Sequence, residues 1–142
     1  MEKIAIVYWS GTGNTERMCG LVKDGITSAG AEAIVYAADD FNKSKMSEYS
    51  KIAFGCPSMG DEVLEEDVFE PMFSSIESDL GGKKIALFGS YGWGDGEWMR
   101  LWTERCRSTG ATLVSEGVIA NESPNSQEAA DCKNLGVKLA KA

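Results

Sequence analysis

Ile4-Ala5-Ile6-Val7-Tyr8-Trp9-Ser10-Gly11-Thr12-Gly13-Asn14-Thr15 decides the fold. Its opening apolar run suits a strand buried on both faces. A Gly-rich turn follows, and then a helical period running to about Ala29. Met18, Leu21, Val22, Ile26 and Ala29 share one face of that helix, and Gly30 is its stop signal. The same alternation repeats outward. Ala33-Ile34-Val35-Tyr36 reads as a second strand, Ile52 to Cys56 as a third and Lys84 to Phe88 as a fourth. Thr112-Leu113-Val114 opens a fifth that runs uninterrupted towards Ile119. Helices are expected from about Asp67 to Leu80, from Glu97 to Ser108 with Gly110 after it, and from near Ser126 onwards. Alternation of this kind predicts an α/β fold, a doubly wound parallel sheet with helices on both faces. Residues 1–142 read as a single domain, without repeats or linkers.

Composition narrows the function classes. The chain has 142 residues, of which 43% are hydrophobic and 25% charged, enough for one sizeable core. Its 22 acidic and 14 basic residues leave a net charge of −8. Such a surface repels phosphate backbones and anionic lipid, so neither nucleic acid nor a membrane is an expected partner. A protein partner with a basic docking surface is favoured instead. No apolar run reaches the ~18–20 residues needed to cross a bilayer, and Met1-Glu2-Lys3 opens no signal peptide. There is no histidine, which excludes histidine general bases, the usual triads and most zinc sites. Cys19, Cys56, Cys106 and Cys132 form no Cys-x-x-Cys motif and read as free thiols of a reducing, cytoplasmic compartment. No catalytic residue and no metal ligand is assigned.

In doubly wound sheets ligands bind beyond the carboxyl ends of the strands. Three loops there are unusual. Ser10-Gly11-Thr12-Gly13-Asn14-Thr15 joins a buried strand to a helix N-terminus, where N–H groups and the helix dipole suit an anion. It has no lysine, so it is not the nucleotide-hydrolysing P-loop. Neutral donors suit a terminal phosphomonoester, at roughly 1.5–3 kcal/mol per hydrogen bond to a charged group. The second loop is Cys56-Pro57-Ser58-Met59-Gly60-Asp61-Glu62, with a soft methionine, a flexible glycine and an acidic rim that continues to Glu70. The third is Ser90-Tyr91-Gly92-Trp93-Gly94-Asp95-Gly96-Glu97-Trp98, in which large aromatics alternate with glycine and suit the face of a planar ring. Local alternatives stand beside each reading: a capped helix for the first loop, an acidic helix start for the second, and core packing of Trp93 or Trp98 for the third. A phosphate cradle beside a slot for a flat ring fits flavin mononucleotide best.

These three loops, with Ile6-Val7-Tyr8-Trp9 before the first, resemble those of the flavodoxins of the short-chain, clostridial type. The resemblance covers essentially the whole chain. It implies a five-stranded parallel sheet in the order 2-1-3-4-5, holding one FMN non-covalently, and a monomer that passes single electrons between redox enzymes. It implies phosphate contacts from Ser10, Thr12, Asn14 and Thr15 within the Gly11 and Gly13 turn, with Trp9 and Trp98 near the phosphate and ribityl chain. Met59, after Ser58, would cover the inner face of the ring. Trp93, between Gly92 and Gly94 in the Ser90, Tyr91, Asp95 and Gly96 loop, would cover the outer face. Gly60 would offer its carbonyl to the reduced flavin N5–H, beside Asp61, and Glu62 would bind the pyrimidine edge.

The expected mechanism follows. Gly60 in a type II′ turn can flip its carbonyl towards the ring only after reduction, stabilising the neutral semiquinone. The carboxylates of Asp61, Glu62, Glu65, Glu66, Asp67 and Asp95 then oppose an anionic hydroquinone, so the carrier cycles at low potential between semiquinone and hydroquinone. A response-regulator receiver is excluded, because Tyr8-Trp9-Ser10 and Cys56 stand where its aspartates would be. A low-molecular-weight phosphatase is excluded because no cysteine is followed six residues later by arginine. Two alternatives stay open: an FMN enzyme of the same fold, which would be a dimer, and a non-redox FMN-binding module.

Overall fold

The computed structural model describes all 142 residues. Strands β1 (Lys3–Tyr8), β2 (Glu32–Ala37), β3 (Lys51–Gly55), β4 (Lys84–Tyr91), β5 (Thr112–Leu113) and β6 (Val118–Asn121) form one parallel sheet. The order is β2-β1-β3-β4-β5, with β6 also paired to β4. Helices α1 (Asn14–Ser28), α2 (Lys43–Met46), α3 (Phe69–Ile76), α4 (Glu97–Arg107) and α5 (Ser126–Lys141) connect or follow the strands.

Strand periodicity divides the core in two. Ala5, Val7, Ile52, Phe54, Ile85 and Leu87 face α3 and α4, where they meet Phe69, Phe73, Trp98 and Trp102. Ile4, Ile6, Ala53, Ala86 and Phe88 face α1 and α5, where they meet Met18, Val22, Ile26, Leu135 and Leu139. Both faces are therefore dry, which is why β1 and β3 read as unbroken apolar runs.

The fifth strand differs from expectation. It is broken into β5 and β6 by Val114 to Gly117. Ile85 partners Leu113 and Phe88 partners Val118, so β4 advances three residues while the edge advances five. The two surplus residues form a bulge, and Gly117 lies so near Met99 that a Cβ there would sit 2.6 Å from its sulfur. The Asp67–Leu80 helix is also shorter than read, with α3 followed by a 3-10 turn over Glu77–Asp79. Short α2 was not anticipated, having too few residues to show a period. No helix is long and apolar enough to cross a membrane.

Candidate functional site

The first loop leaves the sheet beside β3, where the Trp9 N–H donates to the Gly55 carbonyl at 3.0 Å. Gly13, at φ +97°, turns the chain into α1. The Ser10 Oγ accepts the N–H groups of Gly13 and Glu16, both at 3.2 Å. The N–H groups of Gly11, Thr12, Asn14 and Thr15 donate to no protein acceptor. These donors gather at the positive end of a 15-residue helix, an arrangement that fits an anion. The Thr15 hydroxyl is buried and lies 2.8 Å from the Ser90 Oγ. It also accepts the Ser90 N–H at 3.3 Å, which fastens the third loop to the first.

The second loop runs alongside the third. The Cys56 N–H donates to Phe88 and the Ser58 N–H to Ser90, at 3.1 and 2.9 Å, extending the β3–β4 pairing. Met59 and Val63 exchange both backbone hydrogen bonds, at 2.8 and 3.0 Å. Gly60, Asp61 and Glu62 make the tip between them. Gly60 has a positive φ of +51°, but it heads a three-residue loop rather than the two-residue turn expected. Glu62 is at φ +57°, a conformation costing a non-glycine residue of order 1–3 kcal/mol. Its carboxylate accepts the Glu97 N–H at 3.0 Å and so holds the tip against the start of α4. Gly94 passes over that carboxylate, and a Cβ there would lie 2.5 Å from it.

The loops enclose a cleft of about 210 Å³. Trp9, Ser10, Gly11, Thr12, Asn14 and Thr15 line one side, Ser58 and Met59 a second, and Ser90, Tyr91 and Gly92 a third. The flavodoxin family model matches residues 6–136. The chain belongs to the flavodoxin family. It is 45% identical over 139 residues to the flavodoxin of Megasphaera elsdenii, covering 98% of this chain and 99% of that protein. It is also 45% identical over 135 residues to the flavodoxin of Clostridium beijerinckii, covering 95% and 97%. The solution structure of two-electron reduced Megasphaera elsdenii flavodoxin matches with a TM-score of 0.91 and 46% identity, over 98% of this chain and 99% of that one. As a short-chain flavodoxin the protein is an FMN-binding electron carrier, not a catalyst with its own substrate.

The free N–H groups around Ser10 suit the terminal phosphate of FMN, and no lysine or arginine lines the cleft. Met59 and Trp93 are both exposed apolar side chains, at 39% and 63%. Trp93 lies outside the cleft lining, as do Gly13, Gly60, Asp61, Glu62, Gly94, Asp95 and Gly96. Asp95 pairs with Arg100 at 3.0 Å, and this hydrogen-bonded guanidinium holds the Asp95 carboxyl below its usual range. Gly96, at φ +94°, is the residue before α4.

Trp98 is placed elsewhere than the resemblance implies. It is 2% exposed, packs 5.6 Å from the Tyr91 ring and donates its indole N–H to the Cys56 carbonyl at 3.2 Å. It does not line the cleft, and core packing accounts for it. Glu65 also differs from the rest of the acidic rim. It is 6% exposed, and its carboxylate accepts the N–H groups of Asp67, Val68 and Phe69 at 2.8, 2.8 and 2.7 Å. It is therefore a cap for the start of α3.

Pro57 of the second loop also lines the cleft, as does Glu122, which lies outside all three loops. Glu122 is at φ +59° after β6 and donates its N–H to the Tyr91 carbonyl at 2.8 Å. The strand-end rule could have found it, because the fifth strand position ends beside the fourth. All four cysteines are buried and free. Burial pushes the Cys56 thiol up strongly and takes Cys19, Cys106 and Cys132 up to about 12, so no thiolate serves the cleft.

Proposed function

We propose that residues 1–142 act as one domain that carries single electrons at low potential between redox proteins. The observation that carries this reading is the set of free N–H groups at the start of α1, beside Met59 and an acidic rim. None of Asp61, Glu62, Glu65, Glu66 and Asp67 enters an ion pair. Bound FMN supplies two successive one-electron steps, and the carrier works mainly between the half-reduced and fully reduced levels.

The chain's own residues divide the work. Ser10, Thr12, Asn14 and Thr15 hold the phosphate with the intervening backbone. Met59 covers the inner face of the ring and Trp93 the outer face, excluding water. The Gly60 carbonyl would be the acceptor for an N–H of the reduced ring. Glu62 accepts from the pyrimidine edge, a role its free second oxygen leaves open while the first holds Glu97. The unpaired acids disfavour added negative charge and set a low potential. They also steer partners with basic docking surfaces. The protein works as a monomer in the cytoplasm, with neither nucleic acid nor membrane as partner.

Stepwise anaerobic reduction with added FMN, followed by visible absorption, tests the reading. A half-reduced form that accumulates and bleaches only with a strong reductant is the expected result. Direct two-electron bleaching would favour an enzyme of this fold, and absence of FMN binding would remove the assignment.

A further inference from the structure

The pairing of β3 with β4 runs on past the end of β3 and then skips one bond. In a parallel ladder the N–H and the carbonyl of one residue bond the residues before and after its partner on the next strand. The Cys56 N–H donates to the Phe88 carbonyl and the Ser58 N–H to the Ser90 carbonyl, at 3.1 and 2.9 Å. Between these two the ladder requires the Ser90 N–H on the Cys56 carbonyl, and no such bond forms. The Ser90 N–H donates to the Thr15 hydroxyl instead, at 3.3 Å. The Cys56 carbonyl accepts the Trp98 indole N–H in its place, at 3.2 Å.

Gly89 makes this exchange possible. A Cβ there would lie 2.1 Å from the Cys56 carbonyl oxygen and 3.2 Å from the Trp98 ring, so the carbonyl fills the space of a side chain on the face towards α4. Cys56 is fully buried and Trp98 is 2% exposed, so each group is the other's only partner. Losing either would leave a buried polar group unpaired. Neighbouring Glu97 donates its N–H to the Glu62 carboxylate at 3.0 Å. The first turn of α4 therefore holds the second loop twice, at its root through Cys56 and at its tip through Glu62. Met59 lies between the two held points, as does Gly60. Trp102, one turn further along α4, gives the contrast: it is equally buried, and its indole N–H has no acceptor.

We propose that Trp98 is a positioning residue for the ring half of the FMN site. Its indole N–H substitutes for the Ser90 N–H on the Cys56 carbonyl. That frees Ser90 to fasten Thr15 and the phosphate loop. It also aims the chain from Cys56 into Pro57 and Ser58, so that Met59 and Gly60 face the ring. Trp98 itself touches no part of the flavin. Separate bonds thus hold the two halves of the site, Thr15 to Ser90 for the phosphate and Trp98 to Cys56 for the ring. The role rests on the placing of the ring against Met59 proposed above.

The test compares wild type, Trp98→Phe and Trp102→Phe as cofactor-free, 15N-labelled chains titrated separately with riboflavin and with FMN. Both substitutions remove a buried indole from α4, and only the first takes a hydrogen bond from the second loop. Trp98→Phe should bind riboflavin about tenfold more weakly, and FMN by the same factor. Its Met59 and Gly60 amide signals should be displaced before any flavin is added. Trp102→Phe should bind both flavins as wild type does. Equal weakening by the two substitutions, or none by Trp98→Phe, would overturn the proposal. So would a loss confined to FMN, which would put the effect at the phosphate. Where Trp98→Phe does not fold, benzothienylalanine at position 98 keeps the ring shape, lacks only the N–H and carries the same expectations. Flavin that binds wild type without moving the Met59 and Gly60 signals would sink the ring placement and the proposal with it. That outcome is read on wild type alone, so the two failures are told apart.

Discussion

The hydroxyls of Thr15 and Ser90 lie 2.8 Å apart, buried, although 75 residues separate them in sequence. Thr15 opens α1 and Ser90 lies near the end of β4, so this contact joins the phosphate loop to the aromatic loop. Both groups are shielded from water, and removing one leaves the other unpaired. Thr15→Val keeps the shape and removes the hydroxyl. It should destabilise the cofactor-free protein by about 1–3 kcal/mol. Urea unfolding measures this, and a Thr15→Val/Ser90→Ala cycle should show strong coupling.

Ser10 tests the phosphate cradle. Its Oγ organises the Gly13 and Glu16 N–H groups in addition to any contact with the ligand. Ser10→Ala should weaken FMN binding about tenfold or more, since one charged hydrogen bond contributes roughly 1.5–3 kcal/mol. Riboflavin, which has no phosphate, should bind the variant and wild type alike. Fluorescence quenching titrations with both flavins decide it.

Gly60, at φ +51°, has open space where a Cβ would be, so backbone freedom rather than crowding is what the glycine provides. Gly60→Pro forces φ near −65° and removes the flip. The half-reduced flavin seen in stepwise reduction should fall sharply, and an unchanged amount would count against a moving carbonyl.

Glu65 and its neighbours Glu66 and Asp67 should separate under substitution. The Glu65 carboxylate holds three N–H groups of the α3 start, so Glu65→Ala should cost about 1–3 kcal/mol of stability. Glu66 and Asp67 are exposed. Glu66→Gln with Asp67→Asn should leave the unfolding midpoint nearly unchanged and raise the potential of the last electron, as spectroelectrochemistry would record.

The Arg105 cluster predicts an acid limb. Arg105 hydrogen-bonds Glu70 at 2.8 and 2.7 Å and Glu77 at 2.9 Å. Those bonds from Arg105 hold the Glu70 carboxyl below its ordinary 4.5, with help from Ser74. A carboxyl lowered by folding contributes stability above its unfolded pKa, and loses it as pH falls through the folded value. Glu70→Gln should therefore cost about 1 kcal/mol at neutral pH, screened because the group is partly exposed, and progressively less in acid as the carboxyl protonates. Unfolding curves at neutral and at acid pH measure the difference.

Much of this was legible in one dimension. The apolar runs at Ile4, Ile52 and Lys84 named three strands, because burial on both faces leaves no alternation to misread. Ser10 to Thr15 pointed to an anion because loop glycines and a helix start follow one another in the chain. Trp98 was not legible: a tryptophan at a helix start can face either way, and only packing against Tyr91 and Cys56 turned it inward. Glu65 read as one acid among six from Asp61 to Glu70, because a cap is defined by the N–H groups it meets. The break before Val118 escaped notice, since its two surplus residues matter only against the register of β4.

The sequence by itself determined the parallel sheet, the three loops at its carboxyl edge and the family, because these depend on local periodicity and contiguous motifs. Only the tertiary structure decided that Thr15 fastens to Ser90, that Glu62 holds the start of α4, and that the Trp98 indole reaches the Cys56 carbonyl. Those relationships join residues dozens of positions apart, and the meeting of their side chains is a property of how the layers pack.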